Sequence, residues 1–194
     1  MQRLDENELK TIARRIKNSE QGAFDALFRK YYAPLVQMSY RYTRQKSSAS
    51  DIVQDAFVKL WQMRSNIDPE LSIVSYLYTI VRNLSLNYLR NRSKEQSGID
   101  EEKIHAEQES YPVGEPEEDY NQKLALLKNW VSELPERQQM AFSLSRFEGL
   151  EHYEIATVMN ISSRTVNNHI TAALDNLKSR YEEYKTGMRS VHYG

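Results

Sequence analysis

Asp51-Ile52-Val53-Gln54-Asp55-Ala56-Phe57-Val58-Lys59-Leu60-Trp61-Gln62-Met63-Arg64 reads as one helix with two unlike faces. At about 100° per residue, Ile52, Val53, Ala56, Phe57, Leu60 and Met63 share one broad side, wide enough to pack against a helical core. The opposite side collects Asp51, Gln54, Asp55, Val58, Trp61 and Gln62. A tryptophan among carboxylates and amides has two explanations. It is an interface anchor, because Trp supplies large contact area at binding hot spots, or it is ordinary core tucked under the helices that precede it. Ser50, immediately in front, suits an N-cap.

On the N-terminal side, helical periodicity runs from about Glu6 to Lys17, resumes after Ser19 and continues to about Arg44, with Pro34 an expected kink or break. On the C-terminal side, a loop containing Asp68-Pro69 leads to a fourth helix from about Ile73 to Arg92. Leu77, Ile80, Val81, Leu84 and Tyr88 form its core stripe. Tyr76, Thr79, Asn83, Asn87 and Arg90 line another face, where aromatic and basic residues interleave. Tyr can stack on a base, Asn can pair with base edges and Arg can hold phosphate, a combination suited to single-stranded nucleic acid rather than duplex. A solvated polar stripe is the plainer reading of the same face.

Further along, Ser97 to Asp119 contains Gly98, Pro112, Gly114 and Pro116, many carboxylates and little apolar periodicity. Such a segment cannot bury enough apolar surface to offset its ordering entropy, so a flexible acidic linker is expected. Residues 1–96 carry 16 Lys and Arg against 10 Asp and Glu, residues 97–122 carry 1 against 9, and residues 123–194 carry 9 against 8. The net charge of −1 therefore conceals a basic block, an acidic block and a near-neutral one.

Beyond the acidic block, helices are expected at about Tyr120 to Ser132, Glu136 to Phe147, His152 to Met159 and Ser163 to Tyr181. Pro135 starts the second and Gly149 closes it, and the chain after Lys185 reads as unordered. The pair at His152–Met159 and Ser163 onward, with a short break between, has helix-turn-helix spacing. Its second helix turns Val166, Ile170, Ala173, Leu174 and Leu177 inward and leaves Arg164, Thr165, Asn168, His169, Thr171 and Ala172 outward, with Asn167 on the flank. Small polar side chains there fit a major groove, where Asn can pair with adenine and Thr can meet a thymine methyl.

Composition narrows the class. The 194 residues include no cysteine, which excludes disulfides, thiolate metal sites and a cysteine nucleophile. Six Gly and five Pro are too few for a turn-rich β fold. Mean hydropathy is −0.72, and no apolar run approaches the roughly 18 residues of a membrane span. Met1 to Glu8 is polar and acidic rather than signal-like, so a cytoplasmic protein is expected. Phosphate-binding glycine loops, nucleophile elbows and H-E-x-x-H are absent and the four histidines are scattered, so neither an enzyme nor a cofactor is expected. The fold expected is all-α, with two small helical domains: residues 1–96 and 120–185, joined by the linker at 97–119 and followed by a tail at 186–194.

With these residues in hand, the chain resembles the extracytoplasmic-function group of sigma-70-type bacterial RNA polymerase sigma factors. The helix from Asp51 to Trp61 is similar to the family's polymerase-binding helix. Tyr76-Leu77-Tyr78, Arg82-Asn83 and Asn87-Tyr88-Leu89-Arg90 are similar to its promoter-melting and −10-reading helix. Leu134-Pro135-Glu136-Arg137-Gln138, Gly149-Leu150 and Glu154-Ile155-Ala156 resemble the opening of its −35-reading domain. The resemblance implies region 2 over the first block and region 4 over the second, together holding core RNA polymerase and promoter DNA. It implies polymerase contacts at Asp51, Gln54, Asp55, Val58, Trp61 and Gln62, and −10 contacts at Ile67, Tyr76, Thr79, Asn83, Asn87 and Arg90. A pocket for a flipped −10 base would lie at about Ile67 to Ser72. Contacts to −35 DNA fall at Arg164, Thr165, Asn167, Asn168, His169 and Thr171, and an anti-sigma factor is an implied partner. Two departures are visible: Tyr76 stands where the family usually has Trp, and Asn167, Asn168 and His169 stand where many members place arginines.

The competing reading from the residues alone is a stand-alone helix-turn-helix regulator whose first block dimerises. Such a dimer needs a self-complementary face, whereas Asp51 and Asp55 would meet their own copies.

Overall fold

The computed structural model describes residues 5–95 and 118–191, and the expected linker at 97–119 lies almost wholly outside them. The chain divides into two compact units, Met1–Glu107 and Gln108–Gly194. Among the described residues all regular structure is helical, as the scarcity of turn formers requires.

The first unit contains α1 (Glu6–Lys17), α2 (Gln21–Thr43), α3 (Lys46–Gln62), a 3-10 turn (Arg64–Asn66) and α4 (Ile73–Glu95). A reciprocal capping box opens α1: the Asp5 carboxylate accepts the Glu8 N–H and the Glu8 carboxylate accepts the Asp5 N–H, each at 2.7 Å. Ser19 (φ 65°) and Arg44 (φ 52°), both left-handed, separate α1, α2 and α3. The expected break at Pro34 does not occur; α2 continues through it. An interior proline costs about 3 kcal/mol. Leu27, Tyr31, Leu35 and Met38 are all buried on that helix, and at roughly 1.5–3 kcal/mol for each large apolar side chain packing outweighs the break.

α3 begins at Lys46 rather than at Asp51, and Ser50 is an interior residue, not a cap. Ala49 is fully buried, so the turn before Asp51 is drawn into the core, while Ser48 Oγ donates to Gln45 Oε1 at 2.9 Å and lies 3.1 Å from Tyr88 Oη. Val53, Leu60, Leu77 and Val81 are fully buried, and the Phe28 and Phe57 rings lie 4.8 Å apart between α2 and α3. Met63, expected in this core, is 45% exposed. On α4 the buried stripe runs through Ile73, Val74, Leu77, Tyr78 and Val81, so Tyr78 takes a place the helical wheel gives to Ile80, Leu84 and Tyr88, which are only partly covered. Where α2 and α4 meet, Ser39 and Ser85 are both fully buried and their hydroxyls satisfy each other at 2.9 Å.

The second unit contains α5 (Glu118–Ser132), α6 (Glu136–Arg146), α7 (His152–Met159) and α8 (Ser163–Val191). Gly149, at φ 69°, takes the left-handed turn that ends α6, and the Leu150 N–H donates to the Leu144 carbonyl at 2.9 Å. Asn160 (φ 55°) makes the corresponding turn between α7 and α8. Val131, Leu134, Phe142, Ala173 and Leu177 form a core cluster with Leu127 and Trp130 packed against it. Leu174, expected inward, is 41% exposed. α8 also continues to Val191, past the end expected near Tyr181 and into the segment expected to be unordered. Tyr184 extends the packing surface by meeting Trp130 edge-on with ring centroids 5.7 Å apart, and Arg180 pairs with Glu133 in the turn after α5. Residues 192–194 of the expected tail lie outside the described residues.

Candidate functional site

Three exposed helical faces gather the residues singled out in the sequence. On α3, Asp51, Gln54, Asp55, Val58 and Gln62 are exposed, one row of acidic and amide groups around an apolar Val58 that is 52% exposed. Trp61 is shared between core and surface. Its ring packs edge-on against Phe24 of α2 at 5.2 Å, yet it stays partly exposed, with the Arg64 guanidinium 4.6 Å from its centroid. Arg64 is fixed there by donating Nη1 to the Trp61 carbonyl and Nε to Ser19 Oγ, both at 2.8 Å.

On α4, Tyr76, Asn83, Asn87 and Arg90 are exposed along one side, while Ser75, Leu77, Tyr78, Val81 and Ser85 are buried on the other. Arg90 Nη2 donates to Asn87 Oδ1 at 2.6 Å and Arg82 Nη1 to Asn83 Oδ1 at 3.5 Å. Each Asn oxygen thus faces an arginine, and the amide N–H groups remain as donors on the exposed side. Thr79 is less available than expected: it is half-buried and its hydroxyl donates to the Ser75 carbonyl at 2.9 Å. Tyr76 Oη donates to Met63 Sδ at 3.6 Å, so exposed Met63 extends this face, a placement that an apolar residue at the end of a core stripe does not signal.

Ile67 is a correction. Its expected place is the lining of a base pocket, but its side chain is only 7% exposed and anchors the loop in the core, while its carbonyl accepts Lys17 Nζ at 2.9 Å. A β-branched apolar side chain beside a small core finds more stabilisation inside than at a solvated rim. The exposed part of the loop is Asp68–Leu71, with Pro69 half-buried within it. Glu70 turns back toward α1, where Arg14 and then Lys10 hold its carboxyl below the ordinary carboxylate range.

On α8, Arg164, Asn167, Asn168 and Thr171 are exposed, and Thr165 and His169 are half-buried. Thr165 is drawn into the helix cap: Ser162 Oγ accepts the Thr165 N–H at 3.1 Å and lies 2.8 Å from its hydroxyl. In the preceding helix α7, Glu154 is buried because its carboxylate accepts the Glu151 N–H at 2.7 Å. Among the described residues no cluster of His, Asp and Glu could hold a metal, and no helix is long and apolar enough to cross a membrane.

Two helical units, the second built around a helix-turn-helix, define a bipartite all-α architecture with separate exposed polar helices. The Sigma-70 region 2 family matches residues 27–95 and the Sigma-70, region 4 family matches residues 124–177. The RNA polymerase sigma-H factor of Pseudomonas aeruginosa is 27% identical over 169 residues, covering 84% of this chain and 88% of that one. The ECF RNA polymerase sigma-E factor of Escherichia coli is 26% identical over 181 residues, covering 88% and 93%. The fold is similar to that of the sigma factor RpoE in complex with the anti-sigma factor NepR from Bartonella quintana, with a TM-score of 0.58 and 19% identity over 82% of this chain and 96% of that one. It is also similar to CnrH in complex with the cytosolic domain of CnrY, with a TM-score of 0.56 and 19% identity over 90% and 97%. The chain belongs to the extracytoplasmic-function group of sigma-70 factors.

Proposed function

We propose that this sigma factor joins core RNA polymerase through the outer face of α3, reads melted −10 DNA with α4 and reads the −35 duplex with α8. The observation that carries this is the α4 face, on which Tyr76, Asn83, Asn87 and Arg90 stand exposed on a helix whose other side is buried. Flipping a base costs a few kcal/mol of unstacking, and stacking on an aromatic ring at roughly 1–3 kcal/mol per base, with edge hydrogen bonds, is enough to offset it. Strand opening on this helix therefore draws on binding energy, and bond chemistry stays with the polymerase. Tyr76 serves in place of Trp because the stacking partner is a π-face, which both provide. On α3, Asp51, Asp55 and Trp61 supply charge and contact area for the polymerase, and Val58 the apolar centre.

The domain roles follow the same division. Residues 1–96 act as region 2 and residues 120–185 as region 4, with the acidic segment between them as a tether. Sigma relatives of similar fold are held by anti-sigma factors, and an anti-sigma protein is the regulatory partner proposed here.

Run-off transcription with sigma-free core polymerase on fragmented genomic DNA, with and without this chain, tests the reading. New transcripts that start downstream of a shared two-element motif are expected. Absence of transcription and of stable core binding, with specific duplex binding by the chain alone, would overturn it in favour of a stand-alone regulator.

A further inference from the structure

The turn between the 3-10 segment and α4 is held from outside by one face of α1. Lys10, Arg14 and Lys17 follow one another at helical spacings of four and three, so they form a single stripe. All three reach the same short turn. Arg14 Nη2 meets Glu70 Oε1 at 2.7 Å, Lys10 Nζ meets Glu70 Oε2 at 3.4 Å, and Lys17 Nζ donates to the Ile67 carbonyl at 2.9 Å. Lys10 is itself steadied by Glu6 at 3.0 Å. Within the turn, Asp68 Oδ1 accepts the Glu70 N–H at 3.0 Å and the Asp68 carbonyl accepts the Leu71 N–H at 3.1 Å, with Pro69 at the second position. Leu71, at the end of the turn, is 68% exposed. Ser72 then accepts the Ser75 N–H on its hydroxyl at 3.1 Å and the Tyr76 N–H on its carbonyl at 3.0 Å, so the turn runs directly into the first turn of α4.

We propose that Lys10, Arg14 and Lys17 are positioning residues for −10 recognition: by gripping Glu70 and the Ile67 carbonyl they fix the turn at 68–71 that leads into the first turn of α4, and so hold Tyr76 in place on the −10-reading face and sharpen which base that face accepts. The proposal rests on α4 being the reader of −10 DNA. Exposed ion pairs of this kind add little to overall stability. Their consequence here is geometric. A turn held at Ile67 and again at Glu70 leaves the first turn of α4 less freedom to lose when a base stacks on Tyr76, and a first turn free to shift would admit the wrong base more readily. The grip also cancels the negative charge of Glu70, which would otherwise stand unpaired beside a polyanionic strand. α1 lies before residue 27, where the region 2 match begins, so the match assigns this stripe no role.

The test uses holoenzyme assembled from core polymerase and the full chain. Binding is measured to single-stranded non-template promoter DNA carrying either the preferred −10 sequence or single-base changes in it. Glu70→Arg and Arg14→Glu are each expected to lower the ratio of right to wrong binding by about threefold to tenfold, with core affinity and melting temperature unchanged. The exchanged pair, Glu70→Arg with Arg14→Glu, is expected to restore most of the ratio. Unchanged discrimination in both single variants would overturn the proposal. So would a loss that the exchanged pair fails to restore, because the two residues would then be acting independently. Asn83→Ala run alongside separates the levels: if it lowers discrimination, α4 is the reader and the Glu70 and Arg14 variants test the grip alone. If Asn83→Ala changes nothing, α4 is not the reader and this proposal fails with it.

Discussion

Asn83 and Asn87 carry the sharpest consequence of a single side chain. Both are exposed, both have their carbonyl oxygen turned to an arginine, and neither contributes to the core. Asn83→Ala is therefore expected to leave stability within about 0.5 kcal/mol while weakening −10 discrimination by about 1–3 kcal/mol, read as relative holoenzyme affinity for single-base promoter variants. Equal affinity loss for every sequence would instead mark Asn83 as a backbone contact. Trp61 behaves differently because its ring is shared between core and surface. Removing a buried Trp costs about 3–5 kcal/mol, so Trp61→Ala should destabilise by an appreciable part of that while also weakening polymerase binding, and it cannot serve as a clean probe. Asp55→Ala, fully on the surface, is the cleaner test: lower affinity for core polymerase in a competition assay, with an unaltered melting temperature. Asn83, Asn87 and Asp55 were legible in the sequence as surface residues because their periodicity opposes a strong apolar stripe. Ile67 was not, since a short loop has no period and only the tertiary fold decides which side chain turns inward.

At the scale of the element, helix identities were legible and some helix ends were not. α1 and α7 end where their caps and periodicity place them. α3 begins early because Lys46-Ser47-Ser48 looks like a loop by composition, and only Ala49 and the Ser48–Tyr88 contact pull it into a helix. α8 ends late because an apolar contact beyond Tyr181, Tyr184 on Trp130, joins residues far apart in sequence. The buried hydroxyl pair between α2 and α4 gives an element-level prediction. Ser39→Ala leaves Ser85 without its partner in the core, and a loss of about 1–3 kcal/mol in denaturant unfolding is expected, whereas alanine at both positions should cost less than the single change. The α1–Glu70 contact makes another. Glu70 is held below its ordinary value by Arg14 and Lys10, so this contact is intact above the ordinary carboxylate range and is lost as pH falls through the lowered value. Carboxyl chemical shifts should place Glu70 below the exposed glutamates; a midpoint at or above theirs would mean the pairs do not form in solution.

For the whole molecule, charge is the quantity that matters. The second block is near neutral, 9 Lys and Arg against 8 Asp and Glu over residues 123–194, and α8 offers Asn167, Asn168 and His169 where a strongly DNA-binding helix would place bases. Few counterions are released by such a surface, so the isolated chain is expected to bind −35 duplex only weakly at physiological salt, with a shallow salt dependence. Affinity in the holoenzyme then comes from tethering two weak readers to one polymerase. Titration of labelled promoter duplex with the free chain checks this, and tight sequence-specific binding without polymerase would contradict it. The segregation of charge was visible in the sequence, but it could only suggest partners. Which carboxylates stand outward, and which, like Glu154, are spent on a helix cap, needed the fold.

Ser85 lies between Asn83 and Asn87, on the opposite side of α4, and its hydroxyl is tied to Ser39. At about 1.5 Å per residue, Tyr76 and Asn87 mark off about 16 Å along that helix. A helix can slide or roll by a fraction of a turn against its neighbours when only greasy side chains hold it, because such contacts lack direction. A directional bond acts as a detent, and here the Ser39–Ser85 pair is joined by the Tyr88 hydroxyl on Gln45 at 3.2 Å. It gives α4 one height and one rotation against α2, so that Tyr76 and Asn87 are held at fixed places on the unit's surface.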